Sequence, residues 1–498
     1  MPNKFYITTA IPYVNAKPHL GFALEIIQAD VLARYLRLSG NEVFFLTGTD
    51  ENSFKIARAA IEKDLSPKNL ADENSSKFYE LKKVLNLSFD DFIRTTEERH
   101  KRGAQKFWNE IKQNDIYSDT WTGWYCVGCE AHYQKEDLID GNKCPEHLKP
   151  LEYIEEKNYF FKIDSYKDKI KSLIESDALK IIPDKRKNEI LNLLDKFHDF
   201  NTSRNKKYDW GISVPGDDSQ IIYPWVEALT SYINGVGYFD DSEKFKKWWE
   251  DGDVRIIHII GKGITKFHAI YWPAMLLSAG LRLPNLIFAH GYLTVDGQKI
   301  SKSLGNVINP DEVVEKYGVD PVRYYLLREI PSYEDGDYSD KKLEARYNAD
   351  LANNLGNLIS RVAVLIEKFF KGSFSYHCKF VSKEIDDKVI DTWKKYNESI
   401  NNFKLHIALE NIFSLADFAN LYIDQNKPWA LSDNPERLNL VITNLVLILL
   451  NIAWLLKPFL PETSDKIFEI LGTDKEGKSW EEKPFRVKPK ILFPKLNL

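Results

Sequence analysis

Phe5-Tyr6-Ile7-Thr8-Thr9, followed by Ala10 to Pro18, His19-Leu20-Gly21-Phe22 and, further on, Val43-Phe44-Phe45-Leu46-Thr47-Gly48-Thr49-Asp50, is the stretch that decides the fold. Phe5–Thr9 is short and β-branched and predicts a strand. From His19 the apolar residues Leu20, Ala23, Ile27, Val31 and Leu38 recur at helical spacing, with Gly40 as the stop. Val43–Leu46 predicts a second strand, ending at Thr47–Asp50. A β-α-β unit of this size implies a right-handed crossover and a parallel sheet. Ligands of such sheets gather at the carboxyl ends of the strands, and Tyr13, His19 and Asp50 fall there. His19 and Gly21 open the helix, where unpaired N–H groups and the positive dipole end favour phosphate. The absence of G-x-G-x-x-G argues against a dinucleotide fold of the oxidoreductase kind.

Outward from this unit, residues 55–114 read as mostly helical. Around Trp121 the character changes, and an insertion runs to Asn205. Apolar runs at Gln220–Val226, Val254–Ile260 and Asn285–Phe288 read as the second half of the same sheet. From Ala349 onward long amphipathic helical patterns, broken near Pro428, Pro458 and Pro461, predict a bundle. Between them, Gly297-Gln298-Lys299-Ile300-Ser301-Lys302-Ser303-Leu304-Gly305 puts two lysines on a glycine-flanked loop, which suits polyphosphate.

The 498 residues imply two to four domains, and the net charge of -5 excludes a bulk polycation, so any nucleic acid must be met by local patches. The longest apolar run, Leu438–Leu456, is interrupted by Asn439, Asn444 and Asn451 and reads as a buried helix, so no membrane span is expected. The N-terminus lacks a signal-peptide profile, and a cytoplasmic location is expected. Three of the four cysteines cluster, as Cys126-Val127-Gly128-Cys129 and Cys144-Pro145-Glu146-His147. A C-x2-C…C-x2-H pattern fits tetrahedral zinc, structural because no position stays open. His132 is the rival to His147, and reduced thiols without metal are the alternative. Cys378 reads as a free thiol. Asn357 and Arg361, four apart, share a helix face, and Trp429 follows Pro428 just past a helix end.

Pro18–Gly21 and Lys299–Ser303 together resemble the paired signatures of class I aminoacyl-tRNA synthetases. Ile221–Tyr232 and Gly261–Pro273 resemble two segments of the methionyl-tRNA synthetase family, and the likeness covers essentially the whole chain. It implies an α/β fold: a split Rossmann-like nucleotide-binding catalytic domain (1–115 and 206–292), a connective insertion with a zinc knuckle (116–205), a connecting region with the lysine loop (293–350), and a C-terminal α-helical anticodon-binding domain (351–498). The implied reaction joins L-methionine to tRNA(Met) through methionyl-adenylate, with ATP and Mg2+. By the resemblance, His19, Lys299 and Lys302 are catalytic and bind ATP together with Gly21 and Gly261. Ile11, Tyr13, Trp225, Ala228, Leu229, Tyr232, Ile264, His268 and Trp272 line the methionine pocket, with Asp50 on the ammonium. Cys126, Cys129, Cys144 and His147 hold one structural Zn2+. Asn357, Arg361, Pro428 and Trp429 read the CAU anticodon. A monomer is expected.

Three positions depart from the family pattern: Phe22 replaces a second histidine, Glu227 an aspartate and Gly263 an aspartate. The first and third leave a second reading open, a catalytically weak paralogue acting as a tRNA-binding or assembly module. Ligases for valine, isoleucine or leucine carry a larger editing insertion than the roughly 90 residues here, and a cysteinyl-type enzyme would place zinc at its substrate.

Overall fold

Among the residues described by the computed structural model (3–128, 130–133, 135–145, 148–300, 305–376, 381–473 and 484–496), six strands form one fully parallel sheet. They are β1 (Lys4–Thr9), β2 (Glu42–Thr49), β3 (Asp91–Arg94), β4 (Lys180–Ile182), β5 (Val254–Gly261) and β6 (Leu286–His290). Their order across the sheet is β3-β2-β1-β5-β6-β4. Ile7 of β1 lies opposite Phe45 of β2 and Ile257 of β5. The strand order reverses between β1 and β5, which makes the carboxyl ends of these two strands the crevice where a ligand is expected. Tyr6 to Thr9 are all buried, as in a parallel sheet covered on both faces. The helix Leu20–Leu38 makes the expected crossover from β1 to β2.

The structure corrects three sequence readings. Gln220–Val226 does not belong to the parallel sheet: Asp217–Ile222 is the centre of a small antiparallel sheet with Ser203–Asn205 and Ser213–Val214, and Pro224–Leu229 is helical. Pro224 supplies the fixed φ of a first helical turn, which ends the strand. Within the mostly helical stretch 55–114, Asp91–Arg94 is strand β3. Lys180–Ile182, inside the expected insertion, is edge strand β4, paired with Leu286–Phe288. The rest of the insertion is built on a long antiparallel pair, Ile116–Cys126 with Glu152–Phe161.

The chain divides into two compact units. The first holds residues 1–29, 36–83 and 87–290, and contains the parallel sheet and the insertion. The second holds 291–498 with the short segments 30–35 and 84–86. In it, Leu293–Val295 pairs with Gln298–Lys299 and Gly336–Tyr338. The helices Asn357–Phe370, Lys383–Asn401, Leu405–Asn426, Pro435–Leu456 and Pro461–Leu471 form the expected bundle. Pro435–Leu456 is long and apolar enough to cross a bilayer by length and composition, but 72% of its apolar window is buried in the protein, as befits the core helix of a bundle. Arg323 is wholly buried in this unit. Its guanidinium pairs with Asp30 at 2.8 Å and donates to the carbonyls of Leu85, Pro458 and Phe459.

Candidate active site

The crevice begins where the chain leaves β1. The Asp50 amide donates to the Pro12 carbonyl at 2.9 Å, and the Val14 amide donates to the Asp50 carbonyl at 3.3 Å. Tyr13 thereby pairs with Asp50 in parallel register, extending the sheet by one step beyond β1 and β2. Glu51, fully buried, anchors the end of β2: Arg94 donates to both of its carboxylate oxygens, at 2.8 and 3.0 Å. The Asp50 side chain is buried. Burial first, then the nearby Glu227 and Glu130 charges, push its carboxyl well above the ordinary range. A carboxyl in this state is short of a cation.

The aromatic residues converge on the same crevice. Trp225 stacks on Phe267 at 3.9 Å with the rings nearly parallel, and meets Tyr13 edge to face at 6.1 Å. Tyr232 donates from its hydroxyl to Nε2 of His268 at 2.8 Å, while Nδ1 of His268 donates to the Ile264 carbonyl at 3.1 Å. The two bonds fix the tautomer, with the proton on Nδ1. Burial lowers the His268 pKa to about 4, so the ring is neutral. Tyr232 also stacks on His258 at 4.3 Å, and Trp272 packs edge-on behind Tyr232 at 6.3 Å. Ala228 and Leu229 are buried on the Trp225 helix, and Ile11 and Ile264 are half-buried. The structure thus ties Tyr13 to Asp50 and Trp225, and Tyr232 to Ile264, His268 and Trp272. Polarisable ring faces and edges of this kind suit a thioether.

At the phosphate-binding end, the Gly21 amide donates to Nδ1 of His19 at 3.1 Å. A neutral His19 ring therefore carries its proton on Nε2, as a donor. Gly261 closes β5 opposite His290 and leads into the short helical turn Lys262–Ile264. Phe22 is buried and meets Phe78 edge to face at 5.2 Å. It is a packing residue of this helix. Lys302 lies outside the described residues, as does the Lys299 side chain.

Cys126, Cys144 and Leu151 form one buried cluster, with Trp124, Tyr133 and Leu138 against it. Cys129 and His147 lie outside the described residues, and no group of three metal-binding side chains occurs among the described ones. His132, the rival ligand, packs among the rings of Trp121, Tyr125 and Tyr223. Cys378 also lies outside the described residues.

In the second unit, Asn357 is exposed and Arg361 half-buried on one helix. Arg361 pairs with Asp424, near the end of the helix Leu405–Asn426. Lys427 then turns the chain with φ of 44°, Pro428 is buried, and Trp429 is 48% exposed. The ion pair carries Arg361 to the helix end that presents Trp429. An exposed tryptophan beside polar groups is a platform for an unpaired base.

Sequence reasoning missed the buried pair His100 Nε2 and Glu227 Oε2, 2.6 Å apart. Its members are 127 positions apart, and the only available signal was an acid beside Trp225 in an otherwise apolar helix.

Residues 5–150 and 128–363 match the family tRNA synthetases class I (M), and residues 382–492 match the anticodon-binding domain of tRNA ligase. Fold and site therefore define the class, a class I aminoacyl-tRNA synthetase. The methionine–tRNA ligase of Caldanaerobacter subterraneus subsp. tengcongensis is 41% identical, over 100% of this chain and 80% of its own length. That of Brucella suis is 41% identical over 96% of this chain and 94% of its own. The Mycobacterium tuberculosis methionyl-tRNA synthetase solved in complex with methionyl-adenylate superposes with a TM-score of 0.92 at 36% identity, over 99% of this chain and 100% of that one. The chain belongs to the methionine–tRNA ligase family.

Proposed function

We propose that the chain ligates L-methionine to tRNA(Met) with a CAU anticodon, through methionyl-adenylate, releasing pyrophosphate and then AMP. The observation that carries this is the joining of Asp50, Tyr13 and Trp225 at the switch point of the sheet, in a chain 41% identical to methionine–tRNA ligases over its full length. Asp50 takes the substrate ammonium. Tyr13, Trp225, Tyr232 and His268 surround the thioether, with Ile11, Ala228, Leu229 and Ile264 completing the wall and Trp272 backing it. The substrate carboxylate attacks the α-phosphorus, and pyrophosphate leaves with the bond electrons. No covalent bond to the protein forms, so catalysis consists of positioning and charge neutralisation. His19 Nε2–H and the backbone at Gly21 and Gly261 hold ATP, and Lys299 and Lys302 neutralise its phosphates. Mg2+ arrives with ATP as part of the substrate.

Two soft thiols in one buried cluster, Cys126 and Cys144, suit zinc. With Cys129 and His147 they would hold one Zn2+ that fixes the insertion and takes no part in the chemistry. Asn357, Arg361, Pro428 and Trp429 form the anticodon-reading surface of a cytoplasmic monomer. The second reading, a weak paralogue, drew on Phe22 and Gly263; Phe22 packs on Phe78, and the full-length relatives at 41% identity are methionine–tRNA ligases, which favours the enzyme. Methionine-dependent exchange of pyrophosphate into ATP, followed by charging of tRNA(Met), tests the proposal.

A further inference from the structure

Glu227 is fully buried on the helix that also carries Trp225, Ala228 and Leu229. Its hydrogen bond to His100 looks like an ion pair, but the surroundings of His100 say otherwise. The Asn234 amide donates to Nδ1 of His100 at 3.4 Å, which leaves the ring proton on Nε2. Nε2–H then donates to Oε2 of Glu227 at 2.6 Å. Asn234 is itself fixed from two sides. It donates to Thr230 Oγ1 at 3.0 Å, and Gly103 approaches so closely that a Cβ there would stand 1.9 Å from Asn234 Oδ1. Burial pushes the His100 pKa down to about 3, so the ring is neutral. His100 therefore orients Glu227 without supplying positive charge.

Oε1 of Glu227 is buried and makes no hydrogen bond of ordinary length among the described residues; burial pushes the carboxyl well above the ordinary range, and the Asn52 side chain beside it draws it back only in part. Asp50 is buried nearby, and neither carboxyl has a lysine or arginine partner among the described residues. Glu51, next in sequence to Asp50, has its own guanidinium in Arg94. Asp50 and Glu227 thus lie in one buried region, with Glu130 also bearing on Asp50, and neither of the two is paired with a lysine or arginine among the described residues. Burial therefore favours the neutral form of both carboxyls, and a cation arriving beside them lets them ionise. The substrate ammonium is such a cation.

We propose that Glu227, oriented by His100, is a positioning residue for ammonium selection: it acts through Asp50, so that a buried pair of carboxyls, and not Asp50 alone, discriminates an amine-bearing thioether from its amine-free counterpart. The inference rests on the methionine-activating reading above. Glu227 need not touch the substrate, since at low effective dielectric a second charge several ångströms away still counts.

The test uses two competitive inhibitors of pyrophosphate exchange, L-methioninol and 4-(methylthio)butan-1-ol. They share the thioether and the hydroxyl and differ in the amine. Glu227→Gln keeps an oxygen to accept from His100 Nε2–H and removes the charge. The ratio of the two inhibition constants is expected to fall about tenfold in Glu227→Gln, with the amine-free inhibitor unaffected. Glu227→Asp keeps the charge and should keep the preference within about twofold, which holds the proposal to account if the Gln variant does not fold. Equal weakening of both inhibitors in Glu227→Gln, an unmoved ratio, or a lost ratio in Glu227→Asp overturns the proposal. A wild-type protein that performs no methionine-dependent exchange overturns instead the reading on which it rests.

Discussion

Tyr232 and His268 form a directed pair: the tyrosine hydroxyl donates to Nε2 because Nδ1 is already committed to the Ile264 carbonyl. The chain of bonds runs from the Tyr232 helix through the imidazole to the turn Lys262–Ile264 and holds two walls of the aromatic pocket in one geometry. It requires a neutral ring.

That requirement sets a pH dependence. His268 has a folded pKa of about 4 against 6.5 for an ordinary histidine, so the unfolded chain binds the extra proton first. The stability from the neutral ring is fully present above pH 6.5 and is lost as pH falls from 6.5 towards 4. Each pH unit in that window costs about 1.4 kcal/mol, roughly 3 kcal/mol in all. Denaturation of wild type and His268→Gln across this range should show wild type losing more stability by that amount. Parallel profiles would mean that His268 titrates normally.

Phe22→His restores the residue usual in the family, yet it should not speed adenylation. The new imidazole would lie in the apolar contact with Phe78. A loss of about 1–3 kcal/mol of stability is expected from burying the polar ring without a partner, while Phe22→Leu should be milder. Faster exchange by a fully stable Phe22→His would show that this side chain faces the phosphates.

Metal analysis of the purified protein should find about one zinc per chain. Cys126→Ser should release it and lower the thermal stability of the insertion, with activity falling indirectly. Unchanged zinc content in that variant would remove the assignment.

Trp429→Ala should weaken charging of tRNA(Met) about 10- to 100-fold, since stacking on one base is worth ~1–3 kcal/mol. Pyrophosphate exchange, which uses no RNA, should be nearly unchanged. Equal loss in both assays would return Trp429 to a packing role.

The β-α-β unit was legible from the sequence because β-branched runs and helical spacing are local signals. Tyr13, His19 and Asp50 were placed by topology alone, at the ends of strands whose order follows from the crossover. The edge strand Lys180–Ile182 was not legible: three residues beside charged helices carry no period of their own, and only pairing with β6 makes them a strand. Gln220–Val226 misled because its apolar run spans a strand end and a helix start, and Pro224 decides between them. The role of Phe22 needed Phe78, 56 positions away in sequence and visible only once the helices pack. His100 and Glu227 failed for the same reason, since a buried polar pair formed at long range leaves no spacing to read.

The most direct measurement is exchange of labelled pyrophosphate into ATP by the wild-type protein, with each of the amino acids in turn. The account predicts exchange with L-methionine, saturable in methionine, and at least about a hundredfold weaker exchange with leucine, isoleucine or valine, whose side chains lack the polarisable thioether. Exchange with another amino acid in preference to methionine, or none with any, would contradict it.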